Sequence, residues 1–588
     1  MPEQPVRIAN CSGFYGDRLA AAREMLDGPI DVLTGDYLAE LTMLILWKAR
    51  RKDPSLGYAR TFLQQMEDVL GTCLERGIKI VANAGGLNPA SLASKLGELA
   101  ARLGLDARIA HITGDDLADR IPELQAAGHE FTHLDTGTPL AEADLPIVTA
   151  NAYLGGWGIT AALGGGADIV ICPRVTDASL VVGPAAWWHG WQRDDWDVLA
   201  GAVAAGHIIE CGPQATGGNY SFLEEITDRR YPGFPIAEVA ADGSSVITKH
   251  EGTGGLVSTG TVTAQLLYEI GAPAYANPDV VAHFDTTRVE QAGPDRVQVT
   301  DTKGSPPPST LKVALNMLGG YRNTMTLVIT GLDIEEKAQH ALSLLTEQLG
   351  GTAQFAEFDA RLLRFDRVNA NRNEEASAHL RITVKDSDER KVGRYFSNTT
   401  WELALGGYAG FHTTTPPSPA SAFGVYWPTL IPAEDVSHTV HLPDGTEQVI
   451  PHGPAAPPPT PSSAPAEHPI AVDGEVVEIP LGRLCGARSG DKGGNANVGV
   501  WAPHPRAYDW LRGELTVERF RQLLPEAAEL EVCRYELPNL RALNFVVAGL
   551  IAPGVAATTR PDAQAKSLGE FLRSRTVSVP AALLKEIA

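Results

Sequence analysis

The sequence predicts an α/β protein. It should have a mostly parallel sheet in its N-terminal half, an α+β second half of the core, and a small C-terminal α+β unit. Three observations predict this. Short, uninterrupted apolar runs rich in β-branched residues alternate with helical patterns up to residue 230, and strands apolar on both faces belong to sheets covered by helices on each side. From about Tyr231 the rhythm gives way to isolated strands between Gly/Pro-rich stretches, the pattern of α+β structure. Residues 452–469, HGPAAPPPTPSSAPAEHP, cannot bury a core and read as an extended, semi-rigid linker. The segments are therefore 1–230, 231–451, the linker 452–469, and a C-terminal unit 470–588.

In chain order, residues 6–9 form the first strand, followed by the turn Asn10-Cys11-Ser12-Gly13 and a helix over 18–26. Residues 30–33 form the second strand, after which Thr34-Gly35-Asp36 opens a helix that includes Glu40. A third strand over 78–82 ends at Asn83-Ala84-Gly85-Gly86, and a helix over 89–103 has Pro in its first turn. Residues 107–112, 147–150 and 167–172 supply the fourth to sixth strands. In the second half, strands are expected at 297–300, 325–329 and 380–384, with an amphipathic helix over Ile334–Gln348. The C-terminal unit begins with a strand over Val476–Pro480. It carries a Gly-rich loop over 489–495, a helix over 507–513 and a late strand over 543–550.

Composition excludes several function classes. The chain has 588 residues, 44% hydrophobic and 20% charged, a globular balance with room for about two to four domains. Its formal net charge is -23, from 71 acidic and 48 basic residues. Sequence-independent binding to nucleic acid or an anionic membrane needs a basic face, so neither partner is expected. The 6 cysteines have no C-x-x-C spacing and read as reduced thiols. No signal peptide or membrane span is visible, so we expect a cytoplasmic enzyme; a homo-oligomer is expected as well.

Ligands of open α/β sheets bind beyond the carboxyl ends of the strands. The polar residues there are Asn10, Ser12, Asp36, Glu40, Asn83, Thr113, Asn151, and Arg174 with Asp177. Each also has a plainer reading, Asp36 as a helix cap and the asparagines as turn residues; the cluster carries more weight than any member. In GHIIECGPQATGGNYS, residues 206–221, the apolar pair Ile208-Ile209 delivers Glu210 and Cys211 into a Gly-rich turn. Thr216, Gly217, Gly218, Asn219, Tyr220 and Ser221 follow, and such glycines free backbone N–H groups for an anion. His250 beside Glu251 in KHEGTGG offers a carboxylate-tuned acid or base. Asp491 and Lys492 in the C-terminal loop could hold a carboxylate or phosphate.

Other signals are negative. There is no Walker A loop, no convincing G-x-G-x-x-G after the first strand, and no G-x-S-x-G elbow. His129-Glu130-Phe131-Thr132-His133 matches H-E-x-x-H, but Gly128 before it and turn signals after it read as a surface turn rather than a zinc helix. We expect no metal and no resident cofactor.

Five segments in order, VLTGDYLAELTM, ANAGGLNP, ANAYLG, ECGPQATGGNYS and HEGTGG, resemble the AtuA family of acyclic terpene utilisation proteins over roughly residues 7–451. GARSGDKGGNANVGVWA, residues 486–502, is similar to the ferredoxin-fold domain that often follows that core. The resemblance implies a place in the breakdown of citronellol- or geraniol-like acids through branched acyl-CoA thioesters. It carries no reaction and no catalytic residue list.

The resulting expectation is a catabolic enzyme acting on a branched or unsaturated acyl-CoA, or the free acid, with coenzyme A entering only as part of the substrate. Proton transfer, either hydration or carbon–carbon lysis, is expected. The acid/base candidates are Asp36, Glu40, Glu210, His250 and Glu251. The substrate-binding candidates are Asn83, Asn151, Arg174, Asp177, Thr216, Gly217, Gly218, Asn219, Tyr220, Asp491 and Lys492. One rival is an acyl-CoA hydrolase with Cys211 as nucleophile. The other is a non-catalytic subunit that binds acyl-CoA or accompanies a carboxylase.

Overall fold

The computed structural model describes residues 4–457 and 475–587. Strands Val6–Asn10, Val32–Gly35, Lys79–Ala82, Ile169–Ile171 and Ile109–Thr113 lie side by side in that order, all parallel. Their alternate residues divide between two cores. Ile8, Val32, Val81 and Val170 face the helices Trp157–Gly164, Ser179–His189 and Trp196–Ile209. Ala9, Leu33, Ile80 and Ile169 face Arg60–Arg76 and Pro89–Arg102. A strand has period 2, so only unbroken apolar runs can serve both faces.

The change of rhythm at residue 231 does not divide the core into separate bodies. Pro235–Val239 pairs antiparallel with Val6–Asn10, and Ser245–Lys249, Arg296–Thr300 and Arg288–Gly293 continue outward. At the opposite edge Thr439–His441 and Glu447–Val449 lie beyond Ile109–Thr113, which completes an 11-stranded mixed sheet.

Residues 147–150 do not join this sheet. Ile147–Ala152 pairs antiparallel with Thr310–Thr330, a strand of 21 residues. That strand is the spine of a 6-stranded sheet with Ser377–Asp386, Glu357–Arg364 and Ser421–Pro432. An apolar run looks the same in either sheet; the distant partner decides. The helix Ile334–Gln348 lies where expected, its Ile334, Ala338, Ala341 and Leu345 packed on Met325, Leu327 and Leu380.

The C-terminal unit, residues 475–587, has a core of its own. Its 4-stranded antiparallel sheet runs Gly486–Lys492, Asn495–Trp501, Ala542–Val547, Val532–Leu537. One face buries Val498, Val500 and Phe545 against Leu511, Phe520 and Leu572. The Gly-rich loop expected over 489–495 is instead a tight hairpin. Lys492 pairs with Asn495 across Gly493-Gly494, and Gly493 has φ 66°, which the two-residue turn needs and glycine provides. Asp491 and Lys492 therefore stand on a strand end.

The other face of this sheet docks on the core. Registers Gly490↔Asn497, Arg488↔Gly499 and Gly499↔Asn544 put these five residues on that face. A Cβ at Gly499 would lie 2.5 Å from Leu267 Cβ, so the core backbone can approach only a glycine. Asn497, fully buried, donates to the Leu267 carbonyl at 3.0 Å and accepts from the Glu269 amide at 2.8 Å. Asn544 donates to the Gly271 carbonyl at 2.7 Å. Two buried amides thus satisfy the backbone of core residues 267–271, which has no strand partner of its own. The linker expected over 452–469 lies, from residue 458 on, outside the described residues.

Candidate active site

A cleft of about 590 Å³ opens where the carboxyl ends of the parallel strands meet the C-terminal domain, within the size range of small-molecule sites. The strand ends supply Asp36, Glu40, Arg174 and Asp177, and the helix Trp196–Ile209 and its exit supply His207, Glu210 and Cys211. Lys312 comes from the long strand of the second sheet, and Asp491, Lys492 and Lys566 come from the C-terminal domain. Glu210 leaves a helix rather than a strand. Asn10 ties that helix end in place by donating to the Ile209 and Glu210 carbonyls at 2.7 and 2.9 Å, satisfying two terminal carbonyls.

One side of the cleft favours an ionised carboxylate. Glu40, the first residue of helix Glu40–Lys52, accepts from Tyr153 Oη at 3.2 Å and stands 3.9 Å from Lys312 Nζ. Burial pushes its carboxyl up, but Lys312 and Arg174 outweigh this and hold it below the ordinary glutamate value. Arg174 stacks over the Tyr153 ring at 4.2 Å, pairs with Asp177 at 3.0 Å and donates to the Leu38 carbonyl at 2.9 Å.

Asp36, Glu210, Glu269 and Asp491 are pushed the other way. Burial, then the charge of Asp177, raises Asp36 well above its usual value, despite Arg174 and a 2.6 Å hydrogen bond from Asn83. Asp36 does not cap the next helix, which begins only at Glu40 after Ala39. Burial, then Asp177 and Glu269, raises Glu210 well up, and its Oε2 has no hydrogen-bond partner among the described residues. His207 Nδ1 lies 3.3 Å from Glu210 Oε1, and burial lowers that imidazole to about 4, so the ring is neutral. Glu269 has φ 57°, held by the Asn497 side chain on its amide and Lys492 on its carbonyl. Burial and Asp491 raise its carboxyl well up. Asp491 is pushed up to about 7 by burial and then Glu40.

Asp491 has a measurable consequence. It ionises near pH 4 in the unfolded chain but at about 7 in the folded protein. Between these values the folded form keeps a proton that the unfolded form has lost. The stability cost therefore grows as pH rises from about 4 to about 7 and then stays constant. Asp491→Asn should raise Tm at pH 8 and clearly less at pH 5. Equal shifts in the two thermal melts would show that the charge of Asp491 is not the cause.

The structure brings together Asp36, Glu40, Arg174, Asp177, Glu210, Gly218, Asn219, Asp491 and Lys492 around this cleft. Asn83 stands behind them, fully buried, bridging Asp36 and the Tyr37 amide. Other candidates lie elsewhere. His250 does not line the cleft: its Nε2 is 2.9 Å from the Met25 carbonyl and its ring covers Gly28, while Glu251 is exposed in the following turn. Asn151 is taken up by Asp115 at 2.8 Å. Thr216 bonds the Pro213 and Gly233 carbonyls, and Gly217 serves a turn at φ 103°. Tyr220 donates to Glu225 at 3.0 Å and stacks on Trp501 of the C-terminal domain. The H-E-x-x-H stretch is not helical; Phe131 has φ 48° and is buried.

Sequence reasoning missed Tyr153, His207, Glu269, Lys312 and Lys566. His207 and Tyr153 lie within or beside quoted motifs and could have been found there. Lys312 and Glu269 carry no local signal, since their place depends on which distant strand they meet.

Among the described residues no helix is long and apolar enough to cross a membrane, and no cluster of His, Cys, Asp and Glu has metal-binding geometry. No curated protein and no solved structure matches the chain. The AtuA ferredoxin-like domain family matches residues 479–578. The acyclic terpene utilisation family protein AtuA matches residues 6–442, and with three quarters of its length so covered, the chain belongs to the AtuA family.

Proposed function

We propose that this cleft is the active site of a lyase that acts by proton transfer on a branched or unsaturated acyl-CoA, or on the free acid. One observation carries the reading. In a single cavity, Glu40 stands beside Lys312 with its carboxyl pushed down, while burial and neighbouring carboxyls push Glu210 and Asp36 up. Groups pushed apart in this way divide into base and acid. Glu40 is the base, withdrawing a proton from water or from a substrate hydroxyl. Glu210 is the acid, returning a proton to carbon or oxygen from its unpartnered edge. Arg174 and Lys312 face the negative charge that develops on the carbonyl oxygen, and Asp177 keeps Arg174 oriented. Asn219, Asp491 and Lys492 contact the rest of the substrate. Coenzyme A enters as part of that substrate, and the reading needs no resident cofactor.

Membership of an acyclic terpene utilisation family supports a branched, unsaturated acid as substrate. The hydrolase reading is weaker. Cys211 lines the same cleft, but burial and then Glu210 push its thiol well up, so the thiolate a nucleophile needs is scarce.

The test is mass spectrometry of acyl-CoA thioesters and free acids incubated with the purified protein. Gain of one water, or cleavage into two carbon fragments, is the expected result. Release of free coenzyme A with an intact acid would favour the hydrolase. Binding without any change in mass would favour a non-catalytic subunit.

A further inference from the structure

Three lysines face the cleft, and their partners differ. Lys312 stands 3.9 Å from Glu40 and over the Tyr153 ring at 4.9 Å. Lys566 stands 3.3 Å from the Glu269 carboxyl and 3.9 Å from Asp491. Lys492 pairs with no carboxylate among the described residues. Its Nζ donates to the neutral main-chain carbonyl of Glu269 at 2.8 Å, beside the Tyr275 ring at 5.6 Å. That single bond fixes the nitrogen outside any direct ion pair; Glu269, Glu40 and Glu210 favour its ammonium, but burial and Lys312 outweigh them.

We propose that Lys492 is a nucleophile that adds to an aldehyde or ketone carbonyl of the substrate in this cleft to form an imine. The inference rests on the cleft being the active site and narrows its substrate to a compound carrying such a carbonyl. Burial and the nearby charge of Lys312 lower the Lys492 ammonium, the environment that makes an amine nucleophilic. Asp491 and Glu210, both raised, supply protons.

The step balances. The amine lone pair forms the C–N bond as the carbonyl π pair moves to oxygen. That oxygen takes a proton from a protonated carboxyl, and the nitrogen returns one to the carboxylate. The same carboxyl, protonated again by the nitrogen, gives that proton to the hydroxyl, which leaves as water as the nitrogen lone pair forms the C=N bond; a protonated imine and a carboxylate remain. No electrons are exchanged with a third species. The protonated imine then accepts the electron pair of the neighbouring C–C bond as Glu40 takes the proton of a hydroxyl on the departing carbon. That fragment leaves as a carbonyl compound, a carboxyl protonates the enamine left behind, and water hydrolyses the imine to free Lys492.

The test uses the full-length protein, 4-oxopentanoate as the ketone probe, and cyanoborohydride to reduce the imine. Peptide mass spectrometry should place a secondary-amine adduct on Lys492, at least about tenfold above Lys312 or Lys566, and Lys492→Arg should abolish it. Site mapping on the wild type keeps the test valid even if the variant misfolds. An adduct concentrated on another lysine, or spread evenly over the surface, overturns the proposal. Acyl-CoA turnover that depends on Glu40 but leaves Lys492 unmodified overturns the imine alone. A modified Lys492 with turnover indifferent to Glu40 sustains the imine and overturns the acid/base assignment.

Discussion

Glu40→Gln should lower kcat by about 10²- to 10⁴-fold, the usual contribution of a positioned base. The amide keeps the size of the side chain and can still accept from Tyr153 Oη, but it cannot take a proton. Folding should be little affected. Glu40 is the first residue of its helix and its side chain is 31% exposed, so the neutral variant loses about 0.3–1 kcal/mol of helix-dipole interaction and, in addition, its screened attraction to Lys312 and Arg174. The pH profile makes the test specific. Wild-type kcat/KM should fall as pH drops through the lowered value of Glu40, below that of an ordinary glutamate, and this limb should flatten in the variant. Lys312→Met should move the same limb to higher pH, because Lys312 is the larger of the two charges holding Glu40 down. A Glu40→Gln enzyme with unchanged kcat would remove Glu40 as the base.

Gly499→Val should cost at least about 100-fold in turnover although it lies outside the cleft. Even the first added carbon would sit 2.5 Å from Leu267 Cβ, a distance real side chains do not tolerate. The domain must shift, and Asn497 loses its bonds to Leu267 and Glu269. Asp491 and Lys492 move with the same sheet. A displacement of about 1 Å in a reacting group is enough for a loss of that size. The domain itself should stay folded, because its own core is on the opposite face of the sheet, around Val498, Val500 and Phe545. Hydrogen exchange should rise at residues 267–271, with circular dichroism unchanged. Full activity with undisturbed exchange would mean the domain is not needed at the site.

The central sheet was legible in the sequence because a strand buried on both faces must be apolar throughout. Residues 78–82 and 167–172 announce themselves in this way, and the polar residues at their exits mark the rim where Asp36 and Arg174 stand. Pairing partners were not legible. Nothing in residues 147–152 separates a place beside residues 109–113 from one beside residues 313–317, where they lie. That missed pairing also hid Lys312, whose carbonyl receives the Tyr153 amide at 2.9 Å just past this strand. His250 illustrates the local limit: a histidine beside a glutamate in a glycine-rich turn reads as an acid or base, and only the fold shows its ring on the Met25 carbonyl, away from the cleft.

The outer edge of the large sheet has a history in time as well as a place in space. Ile109–Thr113 receives its neighbour Thr439–His441 only after most of the core has been made; Thr113 Oγ1 and His441 Nε2, 2.9 Å apart, are separated by 328 positions. At about 5–20 residues per second, a ribosome needs roughly 15–65 s to close that gap. Throughout it, a row of backbone donors and acceptors faces outward, the kind of edge that recruits other chains. A nascent chain of this protein is thus adhesive for most of its synthesis, and a chain cut short ahead of residue 439 remains so.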